Sequence, residues 1–353
     1  MENNTQHLYV NMPGHEPCFD TVGAALDSIP WDCEAQEGEK QFPALQLSIR
    51  HVIIHVGPGI YREKLVISRP YVTLLGEGEK KEDVVLVYGD AALDIMPEGD
   101  KRGTFRTASV RIDTHDFTAR HITFQNDAGF GHTVGQALAL YVDGDRCYFN
   151  DCALIASQDT LFTAPLPPKE AQPGGFKGPG QSKPRVMGRH CYRDCYIQGD
   201  VDFIFGSAIC WFEDCVIFSK MPGDRKPPES PDDDVIFGYV TAASTPEGMP
   251  FGYVFQNCRL ESDCRPGTIC LGRPWREFAK TVFLHCELGP HIRAEGWKDW
   301  NKPHGHFYYG EYQSYGPGAN PEARADFSCQ LTEEEAAKYT IENVLEGWVP
   351  EGN

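Results

Sequence analysis

Apolar positions along the chain fall into short runs at near-regular spacing. The first run is helical in period: Val22, Ala25, Leu26 and Ile29 share one face of the segment Phe19 to Ile29, and Pro30 closes it. After it nearly every apolar run reads as a strand. The predicted strands are Val52–Val56, Leu65–Ile67, Val72–Leu75, Val84–Val87, Val110–Ile112, Ala137–Val142, Val201–Phe205, Gly252–Phe255 and Thr281–Leu284. Gly, Pro, Asn and Asp separate them and no helical pattern intervenes, which suits a sandwich, a propeller or a solenoid.

A repeat decides among these. An aromatic residue is followed three places on by Cys and two further on by an aliphatic residue: Phe149/Cys152/Leu154, Tyr192/Cys195/Ile197, Phe212/Cys215/Ile217, Phe255/Cys258/Leu260 and Phe283/Cys286/Leu288. The five cysteines stand 43, 20, 43 and 28 residues apart. A solenoid coil of about 20–22 residues accounts for the shortest spacing. The first long spacing then holds one coil plus the Pro/Gly/Lys-rich insertion Ala164 to Pro184, and the second holds either another coil or the acidic loop Met221 to Asp234. An earlier, degenerate unit reads Phe117/Arg120/Ile122. The expected fold is all-β, a right-handed parallel β-helix with a short N-terminal helix, in a single domain covering residues 1–353.

Composition narrows the function. Thirteen cysteines in a chain this size, odd in number and five of them in one repeat frame, read as a buried row of small apolar side chains rather than a disulfide scaffold or a metal site. A net charge of −19 excludes nucleic acid as a partner, and a strongly anionic polymer needs local cations to bind. No run reaches the ~18 apolar residues of a membrane span. Met1 to Gly14 lack the apolar core of a signal peptide, so the expected location is cytoplasmic. The protein is expected to be a monomer.

The repeat also carries the candidate chemistry. Asp159, in Gln158-Asp159-Thr160-Leu161, lies seven residues after Cys152, and Asp202, in Asp202-Phe203-Ile204-Phe205-Gly206, lies seven after Cys195. If the units stack in register, the two carboxylates sit ~4.8 Å apart on neighbouring rungs. Such a pair does not readily ionise twice, so one member is protonated while the other is a nucleophile. Asp inside Val-Asp-Phe-Ile-Phe is out of place in an ordinary strand. Arg273 is the candidate to grip the ionised carboxylate. Gln136 and Gln158 could donate amide N–H groups to an oxyanion, and Trp275 and Trp297 could stack on a sugar ring. No serine-hydrolase elbow, metalloprotease motif or phosphate loop occurs, which leaves carboxylate catalysis without metal or cofactor.

These residues resemble those of the pectinesterases (pectin methylesterases), over about residues 19–318. The resemblance runs through Pro58-Gly59-Ile60-Tyr61-Arg62-Glu63, Thr104-Phe105, Ala119-Arg120-His121-Ile122-Thr123-Phe124-Gln125-Asn126, Gln136-Ala137-Leu138-Ala139-Leu140, the two Asp motifs, Leu271-Gly272-Arg273-Pro274-Trp275, Gly296-Trp297-Lys298-Asp299-Trp300 and Tyr309-Gly310-Glu311-Tyr312. It implies the same β-helix and hydrolysis of C6 methyl esters of galacturonan, with Asp202 as nucleophile and Asp159 as general acid and then base. It further implies Gln136 and Gln158 at the oxyanion and Arg273 holding Asp202. Thr104, Phe105, Gln136, Arg273, Trp275 and Trp297 would then contact a methyl-esterified galacturonan or oligogalacturonide. Three features depart from the family pattern. Asp200 stands two before Asp202 and, in a strand, would share its face and raise its pKa. Tyr141 replaces a basic residue, and the 164–184 insertion could roof the groove. With the charge, they lead to the expectation of a cytoplasmic enzyme for short, imported methylated oligogalacturonides. The rival readings are a β-helical lyase or polygalacturonase, and a non-catalytic carbohydrate-binding β-helix.

Overall fold

A computed structural model describes residues 5–30, 51–223 and 234–351. The chain is a parallel β-helix, and among the described residues it has three sheets of twelve, eight and seven strands, every strand pair parallel. The repeat read from the sequence is the register of the first two sheets. In the first, Phe149 pairs with Tyr192, Tyr192 with Phe212, Phe212 with Phe255 and Phe255 with Phe283. Their rings stack within 11° of parallel, with centroids 4.4–4.9 Å apart. That spacing is the strand separation itself, so each ring lies flat on the next at no cost in backbone geometry. In the second sheet Leu154, Ile197, Ile217, Leu260 and Leu288 form the matching aliphatic row.

The cysteines occupy the corner between these sheets. The thiols of Cys152, Cys195, Cys215, Cys258 and Cys286 each donate to a backbone carbonyl of the preceding coil at 3.5 Å. The twelve described cysteines are free thiols, while Cys33 lies outside the described residues. Burial pushes the Cys152, Cys195, Cys215 and Cys258 thiols well above their usual pKa, so they are packing groups and not nucleophiles. The residue before each of these cysteines turns the corner in the left-handed region, with φ of 48–55° at Asp151, Asp194, Asp214, Asn257 and His285. Asp, Asn and His tolerate that region best among residues with a Cβ. Each also donates its N–H to the following coil, as Asp194 does to Glu213 O at 3.1 Å, so the ladder continues through the bend. The aromatic–Cys–aliphatic repeat therefore has a fourth member that the sequence reading passed over.

Phe149 lies beside Tyr192 and Phe212 beside Phe255, so each 43-residue interval is one coil with an excursion. The second excursion is the acidic loop, of which residues 224–233 lie outside those described. The earlier unit is corrected by two residues. Phe149 pairs with Ala119 and Leu154 with Phe124, which makes the unit Ala119/Ile122/Phe124. Arg120 faces outward, opposite Asn150. The helix is Val22–Asp27, shorter than its apolar stripe, because Thr21 caps its start by accepting from the Ala24 N–H. The strand expected from Ala137 begins only at Leu140. A strand that the sequence reading missed, Thr5–Val10, pairs with His51–Val56 and buries Leu8 and Val10 over the open end of the core.

The aromatic ladder is continuous, so a gap in its middle is felt on both sides. Phe212→Ala should lower stability by about 3–5 kcal/mol, read as a reduced denaturant midpoint. Phe212→Tyr, which keeps the ring, should be markedly milder.

Candidate active site

The third sheet places the two carboxylates. Leu161 pairs with Ile204, which puts Asp159 and Asp202 at equivalent points of adjacent coils, and the Asp159 N–H donates to Val201 O at 3.1 Å. Both residues have left-handed backbones, with φ of 64° and 53°. A strained, non-glycine conformation at two equivalent points turns the side chains out of the regular alternation of the strand. It also displaces Asp200. The pairing slips between Val201 and Ile204, and the Asp200 carboxylate accepts from the Val201 N–H at 2.7 Å. The expected effect of Asp200 on Asp202 is thus corrected: its charge acts on Asp159 and is not among the groups that shift Asp202. Gly206 ends the segment where a Cβ would meet Thr163 O at 2.1 Å.

Asp159 and Asp202 are each 7% exposed, and they open onto a cleft of about 370 Å³. Arg273 holds Asp202 by two parallel hydrogen bonds, Nε to Oδ1 at 2.8 Å and Nη2 to Oδ2 at 2.6 Å. Its guanidinium is itself clamped between the Tyr239 ring at 3.9 Å and the Trp300 ring at 3.8 Å. Two-sided stacking of this kind fixes the plane of the fork and so the orientation of the carboxylate it grips. Burial raises the pKa of both acids, but their partners divide them. At Asp202 the Arg273 hydrogen bonds and charge oppose the rise. Asp159 is driven well above the carboxylate range by burial and then by the Asp202 charge, with Arg273 acting only through space. The Arg273 fork thus makes Asp202 the more readily ionised of the two and favours the proton on Asp159.

The remaining expected residues divide cleanly. Gln136, Gln158, Thr104, Phe105 and Trp275 all line the cleft with the acids and Arg273. Trp297 does not line it, and its expected role on a sugar ring is corrected. It is 1% exposed, stacked on Tyr309 at 4.2 Å, with its N–H on Glu311 at 3.3 Å. The exposed tryptophan of that segment is Trp300, which the sequence reading quoted in a motif but gave no role. Arg276, Gln172 and Phe176 are further lining residues it did not name, and Phe205 of the Asp202 motif lines the cleft as well. Tyr141 is fully buried beneath Phe162, with ring centroids 4.8 Å apart.

The insertion after Ala164 forms one wall. Phe176 packs edge-on to both Phe105 and Trp275, at 5.8 and 6.3 Å. Lys177 pairs with Asp100 at 3.0 Å, and Lys183 pairs with Asp113 and Asp143. Residues 171, 172, 175 and 176 reach the cleft.

A family model described as Pectinesterase matches residues 39–166 and 185–348. The chain belongs to the pectinesterase family. The break in the match, residues 167–184, falls within the insertion. Pectinesterase QRT1 of Arabidopsis thaliana is 32% identical over 326 residues, covering 90% of this chain and 72% of that protein. Among solved structures, pectin methylesterase PemA from Erwinia chrysanthemi superposes with a TM-score of 0.74 at 29% identity, covering 98% of both chains. A pectin methylesterase in complex with a hexasaccharide does so at 0.75 and 28%, also covering 98% of both.

The buried acid has a thermodynamic signature. A carboxyl whose folded pKa is raised contributes stability that is present below its unfolded pKa and lost as pH rises through the folded one. Asp159→Asn should therefore raise the unfolding midpoint at neutral pH, and the gain should vanish as pH falls below the ordinary carboxylate range. Midpoints of both proteins across that range measure it.

Proposed function

We propose that the cleft hydrolyses C6 methyl esters of galacturonan through an acyl-enzyme on Asp202. As a pectinesterase, the chain is a carboxylic ester hydrolase of pectin, releasing methanol and a free carboxylate. The observation that carries the division of roles is the Arg273 fork, made with Asp202 and not with Asp159. In this reading the Asp202 carboxylate attacks the ester carbonyl, and the amide N–H groups of Gln136 and Gln158 receive the oxyanion. Asp159 delivers its proton to the departing methoxy oxygen, forming methanol and leaving an anhydride between substrate and Asp202. The Asp159 carboxylate then takes a proton from water as that water attacks the anhydride, which frees the galacturonate carboxylate and restores both acids.

Phe105, Phe176 and Trp275 supply an apolar wall for the sugar rings and the methoxy group. The added wall favours short oligogalacturonides over long pectin in this proposal. The cytoplasm is kept as the proposed compartment, a setting in which the free thiols of the core suit reducing conditions.

Methanol release from methylated trigalacturonate and from high-ester pectin tests the reading. The wild type should release methanol with no new reducing ends and no unsaturated product, faster from the short substrate. Asp202→Ala should lose about a thousandfold or more in kcat. New chain ends, or a fully active Asp202→Ala, would overturn it in favour of a lyase, a polygalacturonase or another nucleophile.

A further inference from the structure

Trp300 supplies one face of the clamp on Arg273 from an exposed turn. It is 38% exposed, and both it and Asn301 have left-handed backbones, with φ of 51° and 54°. A bulky residue keeps that conformation only where the surrounding structure imposes it. The imposing contacts lie three residues back, at Trp297. Trp297 bridges to Gly272, the Lys298 N–H donates to Gly272 O at 3.1 Å, and the Leu271 N–H donates to Gly296 O at 2.7 Å. The segment that delivers Trp300 thus runs beside the residues that deliver Arg273.

A buried ion pair outside the cleft fixes Trp297 in turn. The indole lies flat on Tyr309 and against Gly272, where a Cβ would stand 3.2 Å from the ring. Its N–H donates to Glu311 Oε1. Arg324 grips the Glu311 carboxylate with a fork, Nε to Oε1 at 2.7 Å and Nη2 to Oε2 at 3.0 Å. The two side chains are 3% and 4% exposed, and neither lines the cleft. The other three N–H groups of Arg324 donate to Gly318 O at 2.9 Å, Arg293 O at 3.1 Å and Ala294 O at 2.9 Å, so all five donors are engaged. Its stem lies against left-handed Gly296, where a Cβ would meet Cδ at 2.7 Å. One guanidinium therefore holds both the backbone entering the Trp297 turn and the carboxylate that receives the indole.

We propose that Glu311 and Arg324 are positioning residues for catalysis: acting through Trp297, they hold the 296–300 turn that sets the Trp300 ring on Arg273, and so fix the plane of the Asp202 carboxylate. The inference rests on the esterase reading for what that carboxylate does. A buried ion pair adds little net stability over apolar side chains of similar volume, whereas a two-bond fork fixes orientation. Orientation is what the next links transmit. The indole N–H reads the position of Glu311, three residues of backbone carry it to Trp300, and ring stacking carries it to Arg273.

Two readouts test it: kcat and KM for methanol release from high-ester pectin, and the Asp202 pKa from carboxyl-carbon NMR. Glu311→Gln should lower kcat about tenfold with KM within about twofold. Trp297→Phe, which keeps the stack and removes only the N–H that reaches Glu311, should lower kcat by less. Glu311→Leu with Arg324→Leu removes both buried charges together, and should lower kcat as Glu311→Gln does if the single variant fails to fold. Asp202 is faced by Asp159, Arg273, Tyr239 and Tyr309, and only the Arg273 fork loosens in these variants. A looser fork stabilises the carboxylate less, so the Asp202 pKa should rise. Trp300→Ala should lower kcat by itself, and adding Glu311→Gln to it should lower kcat by less than about twofold more. Effects that multiply in that double variant, a fully active Trp300→Ala, or an unchanged kcat and Asp202 pKa in Glu311→Gln would overturn the proposal. A wild type that releases no methanol, with the Asp202 pKa still rising in Glu311→Gln, would leave the positioning pair standing and sink the esterase reading instead.

Discussion

The structure depends on register between parallel coils. Once Phe149, Tyr192, Phe212, Phe255 and Phe283 are stacked ring on ring, every residue at a fixed offset from them is also stacked. The carboxylates of Asp159 and Asp202 are brought together by the same ladder that brings together Leu161 and Ile204. Nothing local to either Asp would make them neighbours. The core supplies the precision, and the site is a place where two of its rungs carry acids in strained backbone conformations instead of apolar residues in regular ones.

That arrangement is electrostatically unfavourable without Arg273. Two buried carboxylates on adjacent strands repel, and each alone is costly to ionise out of water. The guanidinium settles which of them ionises, and the rings of Tyr239 and Trp300 settle where the guanidinium lies. Residues 158–159, 200–202, 239, 273 and 300 thus act as one unit, so replacing any of them is expected to disturb the others. The insertion leaves this unit untouched and adds a wall whose backbone reaches Arg276. Chemistry and substrate choice are carried by separate parts of the chain.

Much of this was legible in the sequence because a parallel ladder writes itself as a repeat. Five aromatic–Cys–aliphatic units gave the fold and the frame, and the frame put Asp159 opposite Asp202. What it could not convey was conformation that breaks the frame. Asp200 looked as if it shared a face with Asp202 because strict strand alternation was assumed, whereas the left-handed backbone at Asp202 ends that alternation. The left-handed Asp, Asn or His before each Cys was a visible signal that went unused, and Ala119 in place of an aromatic hid the true frame of the earlier unit. Trp297 and Trp300 are three residues apart in one motif, and only packing distinguishes the one stacked on Tyr309 in the core from the one stacked on Arg273 in the cleft.

The central claim is that the two acids carry one proton between them at neutral pH, and that Asp159 holds it. Carboxyl-carbon NMR titration of protein labelled at aspartate, with Asp159→Asn and Asp202→Asn used to assign the two signals, reads this directly. The account predicts a protonated Asp159 and an ionised Asp202 at neutral pH, with the Asp159 pKa falling once the charge at 202 is removed. Two ionised carboxylates at neutral pH, or a proton residing on Asp202, would contradict it.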